Sequence, residues 1–419
     1  MPTLVIGALV AQAGLAAPAH AAGVRYAAPA GSGTACTSVA PCSLATAVNT
    51  ATSSTEVVVA SGTYEMGTTA LVNAQAGLNV HGVVGQPRPT INTSASTGLE
   101  LKGTGVKVAD LSINHTGALF GLNVFTTGIS VQRVAVSSTA PVACFLGYSG
   151  LARDSLCATN AAGGVAVDDS WGSSGSVTNG ALTLRNLTAI ATGPGSFGLR
   201  AGAGDFANID VDVRNVIASG TQADVRAYRG TTSSDSDVVL QNSNFDLVST
   251  TGTGVTVSAA ASATNQTAAP VWADAGFHQA LGSPTIDRGA TDASVGTTDI
   301  DGGARKVGLA TDIGADEFVP DTTPPDAVFD RTVKRKTHKH RALFVFHASE
   351  PSTFSCVLDK RPVAPCSSPF KVKVKKRGRH TLQVFATDAV GLVDPTPATW
   401  TWKVRKKKRH RHHGAHHHG

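Results

Sequence analysis

VKVADLSI (residues 106–113), ISVQRVAV (129–136), LTLRNLTA (182–189), VDVRNVIA (211–218) and VVLQNSNF (238–245) are one pattern written five times. In each, an apolar residue and one spacer precede a polar residue: Asp110, Arg133, Asn186, Asn215 and Asn242. These polar positions are 23, 53, 29 and 27 residues apart. Recurrence at 20–50 residues points to a solenoid. The gap of 53 fits two rungs, one of them carrying an insertion that holds Cys144 and Cys157.

Alternating apolar positions send one set of side chains inward, and the polar residue falls where the backbone must turn. Asparagine suits that corner because it tolerates the left-handed conformation and bonds its neighbours. Stacked at the ~4.8 Å strand spacing, Asn186, Asn215 and Asn242 can form a side-chain ladder, which stabilises and does not catalyse. With one rung per ~25 residues, the stretch 55–281 makes roughly nine rungs and a rod near 40 Å long. Composition agrees: 44 glycines and 5% aromatic residues suit short strands and tight turns. So few aromatics argue against a large groove for stacked sugars. A β-sandwich would show turn signals every 8–12 residues instead.

Two flanking motifs sharpen this reading. CSLATAVNTATSSTEVVVASGTYE (42–65) resembles the CSLREA segment that caps the N-terminal end of many secreted β-helices, with Ala45 and Thr46 in place of the usual Arg-Glu. Its Leu44 and Val48 suit a short amphipathic helix over an open coil, within a cap of residues 23–54. GSPTIDRGATDASVGTTDIDGGARKVGLATDIGADEF (282–318) resembles the choice-of-anchor Q region that ends β-helix surface proteins, here assigned to 282–320. Together they make the first domain similar to the right-handed parallel β-helix proteins of the pectate-lyase-like superfamily. The fold class this implies is all-β: a right-handed, single-stranded parallel β-helix, followed by a small antiparallel Ig-like sandwich.

In the 282–318 region, Asp287, Asp299, Asp301, Asp312, Asp316 and Glu317 are expected to pair with Arg288 and Arg305 around irregular turns. Calcium is the rival reading. Asp299-x-Asp301-Gly302 has the oxygen-rich start of a calcium loop without its later ligands. No other cofactor is implied.

Residues 1–22 are apolar, rich in small residues and end in Ala19-His20-Ala21, as a secretory signal peptide does, although no Lys or Arg precedes Arg25. No other apolar run approaches the ~20 residues that span a bilayer. In an exported chain six cysteines in three close pairs read as disulfides, Cys36 with Cys42, Cys144 with Cys157 and Cys356 with Cys366. A zinc site would need four converging ligands, and none of these pairs has CxxC spacing.

Net charge of +6 conceals an asymmetry: residues 1–320 carry 14 Lys+Arg against 22 Asp+Glu, residues 321–419 carry 21 against 7. The break coincides with the linker DTTPPD (321–326), whose prolines stiffen the chain. Beyond it, ALFVFHA, FKVKVKK, HTLQVFATD and TWTWKV read as strands of a sandwich over 327–404. STFSCVLDKRPVAPCSSPF and GRHTLQVFATDAVGLVDPTPATWTWKV resemble the Ig-like modules appended to actinobacterial secreted proteins. Strand alternation puts Lys371, Lys373 and Lys375 on one face as a cationic stripe. The tail 405–419 adds Lys406, Lys407, Lys408 and six histidines. Stripe and tail imply attraction to an anionic cell-wall polymer or acidic polysaccharide, with plain solubility as the other reading. Nucleic acid is not expected, since stacking aromatics are not interleaved.

The superfamily hosts lyases and glycosidases, but fold alone does not establish chemistry. Asp168-Asp169 has the residue types of inverting glycoside hydrolysis. Yet the first domain has neither the Gly-His-Gly nor the Arg-x-Lys of polygalacturonase-like members, and neighbouring strand residues face opposite sides. A lyase needs a base near carboxylates. Arg200 and Arg226, one coil apart with Asp205 and Asp224 nearby, are the candidates, against a solvated ion-pair face. His81 and His115 are isolated. The expectation is a secreted or cell-surface scaffold, monomeric and non-catalytic, with a lyase or glycoside hydrolase acting on acidic polysaccharide as the alternative.

Overall fold

Valine, isoleucine and leucine at every second position favour strands that bury one face, and those residues in 106–245 line up from one coil to the next. The computed structural model describes residues 23–170, 179–203, 208–229, 235–259 and 264–406; the expected signal peptide, Asp205, Lys407, Lys408 and the rest of the tail lie outside them. Two compact units meet at Val319 and Pro320.

In the first unit, ten strands from Val24–Ala27 to Val255–Ala259 stand in one parallel row. A second parallel sheet of eight strands includes Phe120–Val124, Val142–Leu146, Val165–Ser170, Phe197–Ala203 and Ala223–Arg229. The chain visits the two sheets alternately, so each coil contributes to both: the unit is a parallel β-helix. Its interior is apolar, with Leu99, Val131, Leu184, Val213 and Leu240 almost wholly buried.

The long strands bend at the repeated polar residue. Asp110, Arg133, Asn186, Asn215 and Asn242 have φ of 56, 50, 50, 55 and 46°. A sixth copy, Asp154 with φ 51°, divides the gap of 53. It follows Ala152 and Arg153, and an alanine at the apolar position hides the pattern. The insertion expected to hold Cys144 and Cys157 is thereby corrected, since both lie on regular strands, Val142–Leu146 and Ser149–Thr159, joined by a disulfide. Cys36 with Cys42 and Cys356 with Cys366 are the other two disulfides.

Helix Leu44–Asn49 covers the first coil with Leu44, Ala47 and Val48 buried, and Ser43 caps it by accepting a bond from the Thr46 amide. After the last coil the chain doubles back along the line of bends. Asn215 Nδ2 donates to the Ala290 carbonyl at 2.9 Å, and the Ala290 amide donates to Asn215 Oδ1 at 2.7 Å. Asn186 Nδ2 reaches the Val295 carbonyl at 2.6 Å, Arg133 reaches Thr298 Oγ1 at 3.2 Å, and Arg88 pairs with Asp301 at 2.6 Å. Residues 290–301 thus form a strap laid across successive coils. Ile300, Ile313 and Ala315 close over Leu156, Ala158, Ile190 and Ile217 in a second apolar cluster.

The second unit packs a three-stranded sheet against a five-stranded one that contains Thr353–Leu358, Gly378–Thr387 and Ala398–Val404. Most pairs are antiparallel, the short strand Lys336–Thr337 being parallel to Ala398–Val404. Phe344, Phe346, Leu382, Val384 and Trp402 fill the space between the sheets. Among the described residues no helix is long and apolar enough to cross a membrane.

Candidate functional site

On the eight-stranded face of the β-helix, strand register stacks Phe145, Asp168, Arg200 and Arg226 in one outward column. Arg200 grips Asp168 with two bonds, Nε to Oδ1 at 3.0 Å and Nη2 to Oδ2 at 2.5 Å. Such a fork is rigid and satisfies both charges. Asp205, expected nearby, lies outside the described residues. Asp224 is occupied in accepting from the amides of Gly220, Asp246 and Leu247, so its role is a turn.

Arg226 differs from its neighbour. Its guanidinium lies 4.9 Å from the centroid of Phe197 and 5.3 Å from that of Tyr228, and its buried Nε has no hydrogen-bond partner. Two rings hold the cation by its faces. On the same sheet, Phe120 and Phe125 stack on Phe145, and Tyr148 lies tilted against Phe125, with successive centroids 4.3 to 4.9 Å apart. Six aromatic side chains, Phe120, Phe125, Phe145, Tyr148, Phe197 and Tyr228, are thus grouped on this sheet, a grouping that composition could not reveal.

Asp169 turns the other way. It sits in register with Ala201 and Ala227, which line the interior, and is 1% exposed. Among the described residues neither carboxyl oxygen has a hydrogen-bond partner, and burial first, then the Asp168 charge, pushes its pKa well up. A buried acid in that position is held neutral. Asp168 and Asp169 thus share no site: one is tied to Arg200 outside, the other is enclosed by small residues within.

The bends form a polar line. Arg133 pairs with Asp110 at 2.6 Å, Asn186 Nδ2 donates to Asp154 Oδ1 at 2.7 Å, and Asn215 Nδ2 donates to Asn186 Oδ1 at 3.0 Å. Asn242 has the same backbone, and its main-chain N–H donates to Thr264 Oγ1; the side-chain ladder among the described residues runs through Asp154, Asn186 and Asn215. His115 is buried between Ser138 and the Ala95 carbonyl, and His81 bonds Glu56.

In the 282–318 region the expected carboxylate–arginine pairs mostly give way to backbone capping. Asp312 accepts from the amides of Asp287 and Phe318, and Glu317 accepts from those of Val307 and Asp312. Arg305, 1% exposed, donates to the carbonyls of Asp312, Gly314 and Ala315, with Glu317 4.0 Å away. Irregular turns leave many backbone groups unpaired, and side chains supply the partners. Asp299 Oδ1 accepts from the amides of Asp301 and Gly303, whereas Asp301 binds Arg88 and His278 Nε2, the latter at 3.0 Å. The two candidate calcium ligands are thus engaged in different tasks. His278, between Asp301 and Asp274, has its pKa raised to about 9, chiefly by the hydrogen bond to Asp301.

In the second unit Lys371, Lys373 and Lys375 are exposed while Phe370 and Val374 are buried, and Arg341 stands opposite Lys373. The five-stranded sheet carries a row that sequence reading missed: Lys336, Lys403 and Arg379 are register partners on three adjacent strands, all exposed. Their residues lie 67 and 24 positions apart, so only strand pairing brings them together. Lys360, Lys376 and Arg377 join Arg379 around a hollow of about 580 Å³. Like charges directly opposite one another destabilise a sheet. Among the described residues this unit's ion pairs are His347 with Asp330 and His380 with Asp359, which leaves the row uncompensated.

No protein-family model, curated protein or solved structure matches the chain.

Proposed function

We propose that this protein is an extracellular or cell-surface scaffold, in which the β-helix is a rigid rod and the basic sandwich attaches to an anionic cell-wall polymer or acidic polysaccharide. The uncompensated row of Lys336, Lys403 and Arg379 carries the reading, because a polyanion relieves the repulsion that three cations at strand spacing impose. Lys371, Lys373, Lys375, Lys406, Lys407 and Lys408 extend the positive field. Three disulfides suit an oxidising compartment, as does the signal-peptide reading of residues 1–22. The resemblances to the pectate-lyase-like superfamily, the CSLREA segment, the choice-of-anchor Q region and the Ig-like modules agree with a monomeric surface protein.

Co-sedimentation of the full chain with cell walls tests this. Binding is expected to fall with salt and to be lost when anionic polymers are stripped. K336Q/R379Q/K403Q is expected to weaken it at least tenfold. Undiminished binding to stripped walls refutes electrostatic attachment, and tight salt-dependent binding to DNA alone redirects it to nucleic acid.

One observation favours a second reading, contact of the β-helix with acidic sugar. Arg226, an outward cation held between two rings, suits a carboxylate on a sugar ring. If that contact is catalytic, the protein is a polysaccharide lyase or glycoside hydrolase. Unsaturated or reducing ends released from uronate polymers, with or without calcium, decide it.

A further inference from the structure

Three acidic side chains of the second unit come from distant parts of the chain to one place. Asp321 lies at its start, Glu350 follows the strand Arg341–Ala348 and Asp388 follows Gly378–Thr387. One oxygen from each lies within 4.8 Å of the other two. None belongs to either of the unit's ion pairs among the described residues.

Asp388 shows what is missing there. It is 8% exposed, and its Oδ1 accepts from the amides of Val390 at 3.0 Å and Leu392 at 2.8 Å, which fix the carboxylate. Its Oδ2 is buried and has no hydrogen-bond partner among the described residues. An unpaired buried carboxylate oxygen is costly, and two further carboxylates beside it raise the cost. A cation satisfies the orphaned oxygen and the mutual repulsion together.

We propose that Asp321, Glu350 and Asp388 form a calcium site that ties the first residue of the linker to two loops of the sandwich. All donors are carboxylate oxygens, the hard ligands that suit calcium, and their convergence from loops supplies the flexible geometry that calcium accepts and magnesium does not. The site is separate from Asp299 and Asp301 and independent of polyanion binding. Its effect is to add a second attachment to the segment 321–326, which Asp326 and Ser349 already hold at their backbones.

Calorimetric titration of the full, chelator-treated chain with calcium chloride is the test, together with thermal unfolding in calcium and in chelator. The expected affinity is that of extracellular calcium modules, about 0.1–1 mM, with the unfolding transition of the second unit raised by calcium. E350Q and D388N are each expected to weaken binding at least tenfold and to remove the calcium-dependent shift. D388N retains the oxygen that caps Val390 and Leu392, and Glu350 caps nothing, so folding is preserved. D316N, which alters the separate group of His278, Asp301 and Asp316, is expected to leave binding unchanged. The proposal is overturned if the chain shows no binding at tenfold above that range, if E350Q and D388N bind as the parent does, or if D316N abolishes binding.

Discussion

Replacing Asn186 by alanine tests the strapped ladder directly. Asn186 is 0% exposed; its amide donates to Asp154 Oδ1 and to the Val295 carbonyl, and its Oδ1 accepts from Asn215. Removing three buried hydrogen bonds at about 1 kcal/mol each gives roughly 3 kcal/mol. Alanine must also adopt φ near 50°, which adds about 1 kcal/mol of left-handed strain. The total is about 4 kcal/mol, enough to lower the melting temperature of the β-helix by several degrees. Asn186→Gly keeps the hydrogen-bond loss and removes the strain, so glycine should be more stable than alanine by about 1 kcal/mol. Calorimetry resolves the transition of the first unit, and limited proteolysis should show faster cutting within 290–301. A melting temperature for Asn186→Ala within a degree of the parent, or glycine less stable than alanine, refutes the assignment of this bend as a load-carrying ladder position.

Asp154 has its pKa raised to about 6 and Glu317 to about 7, both mainly by burial. A carboxyl whose folded pKa lies above the unfolded one binds its proton more tightly when folded, so stability falls as pH rises between the two values. Melting temperature of the first unit should therefore decline from pH 4 to pH 7, with Asp154→Asn flattening the curve; His278, raised to about 9, adds stability that is lost as pH climbs from about 6.5 through 9. Arg305→Met should destabilise the first unit by about 3 kcal/mol, because it orphans the carbonyls of Asp312, Gly314 and Ala315 and leaves Glu317 without its cation, read by calorimetry. Reducing Cys144–Cys157, which closes a loop of 13 residues, should cost about 3 kcal/mol in the loop-entropy account, measured by unfolding with and without reductant. Arg226→Gln should abolish any affinity for uronate oligomers while leaving the melting temperature within a degree, since among the described residues no ion pair or side-chain hydrogen bond holds Arg226.

The coil was legible because its inward residues repeat and its bends need special backbone; Asn186 and Asn215 announce both at once. Asp154 was hidden by the alanine before it, so the two rungs in the gap of 53 could be counted but the bend between them could not be placed, and Cys144 and Cys157 were assigned to an insertion instead of to regular strands. The Cys144–Cys157 pairing was readable from proximity alone, while its place across two regular strands was not. Charge alternation exposed Lys371 and Lys373, but Lys336, Lys403 and Arg379 meet only through sheet register, which local sequence does not specify. The same limit applies to Arg226, whose rings come from its own strand and its neighbour, and to Asp321, Glu350 and Asp388.

The strap also determines how the rod answers a pull. A solenoid drawn from its end would normally surrender one coil at a time, each giving way at low load. Here the chain leaving the last coil crosses back over the bends of Asn215, Asn186 and Arg133 toward Arg88 before it exits. Tension applied through residue 319 must therefore shear contacts on several windings at once before any winding can unspool, which slows forced unfolding without changing the equilibrium fold.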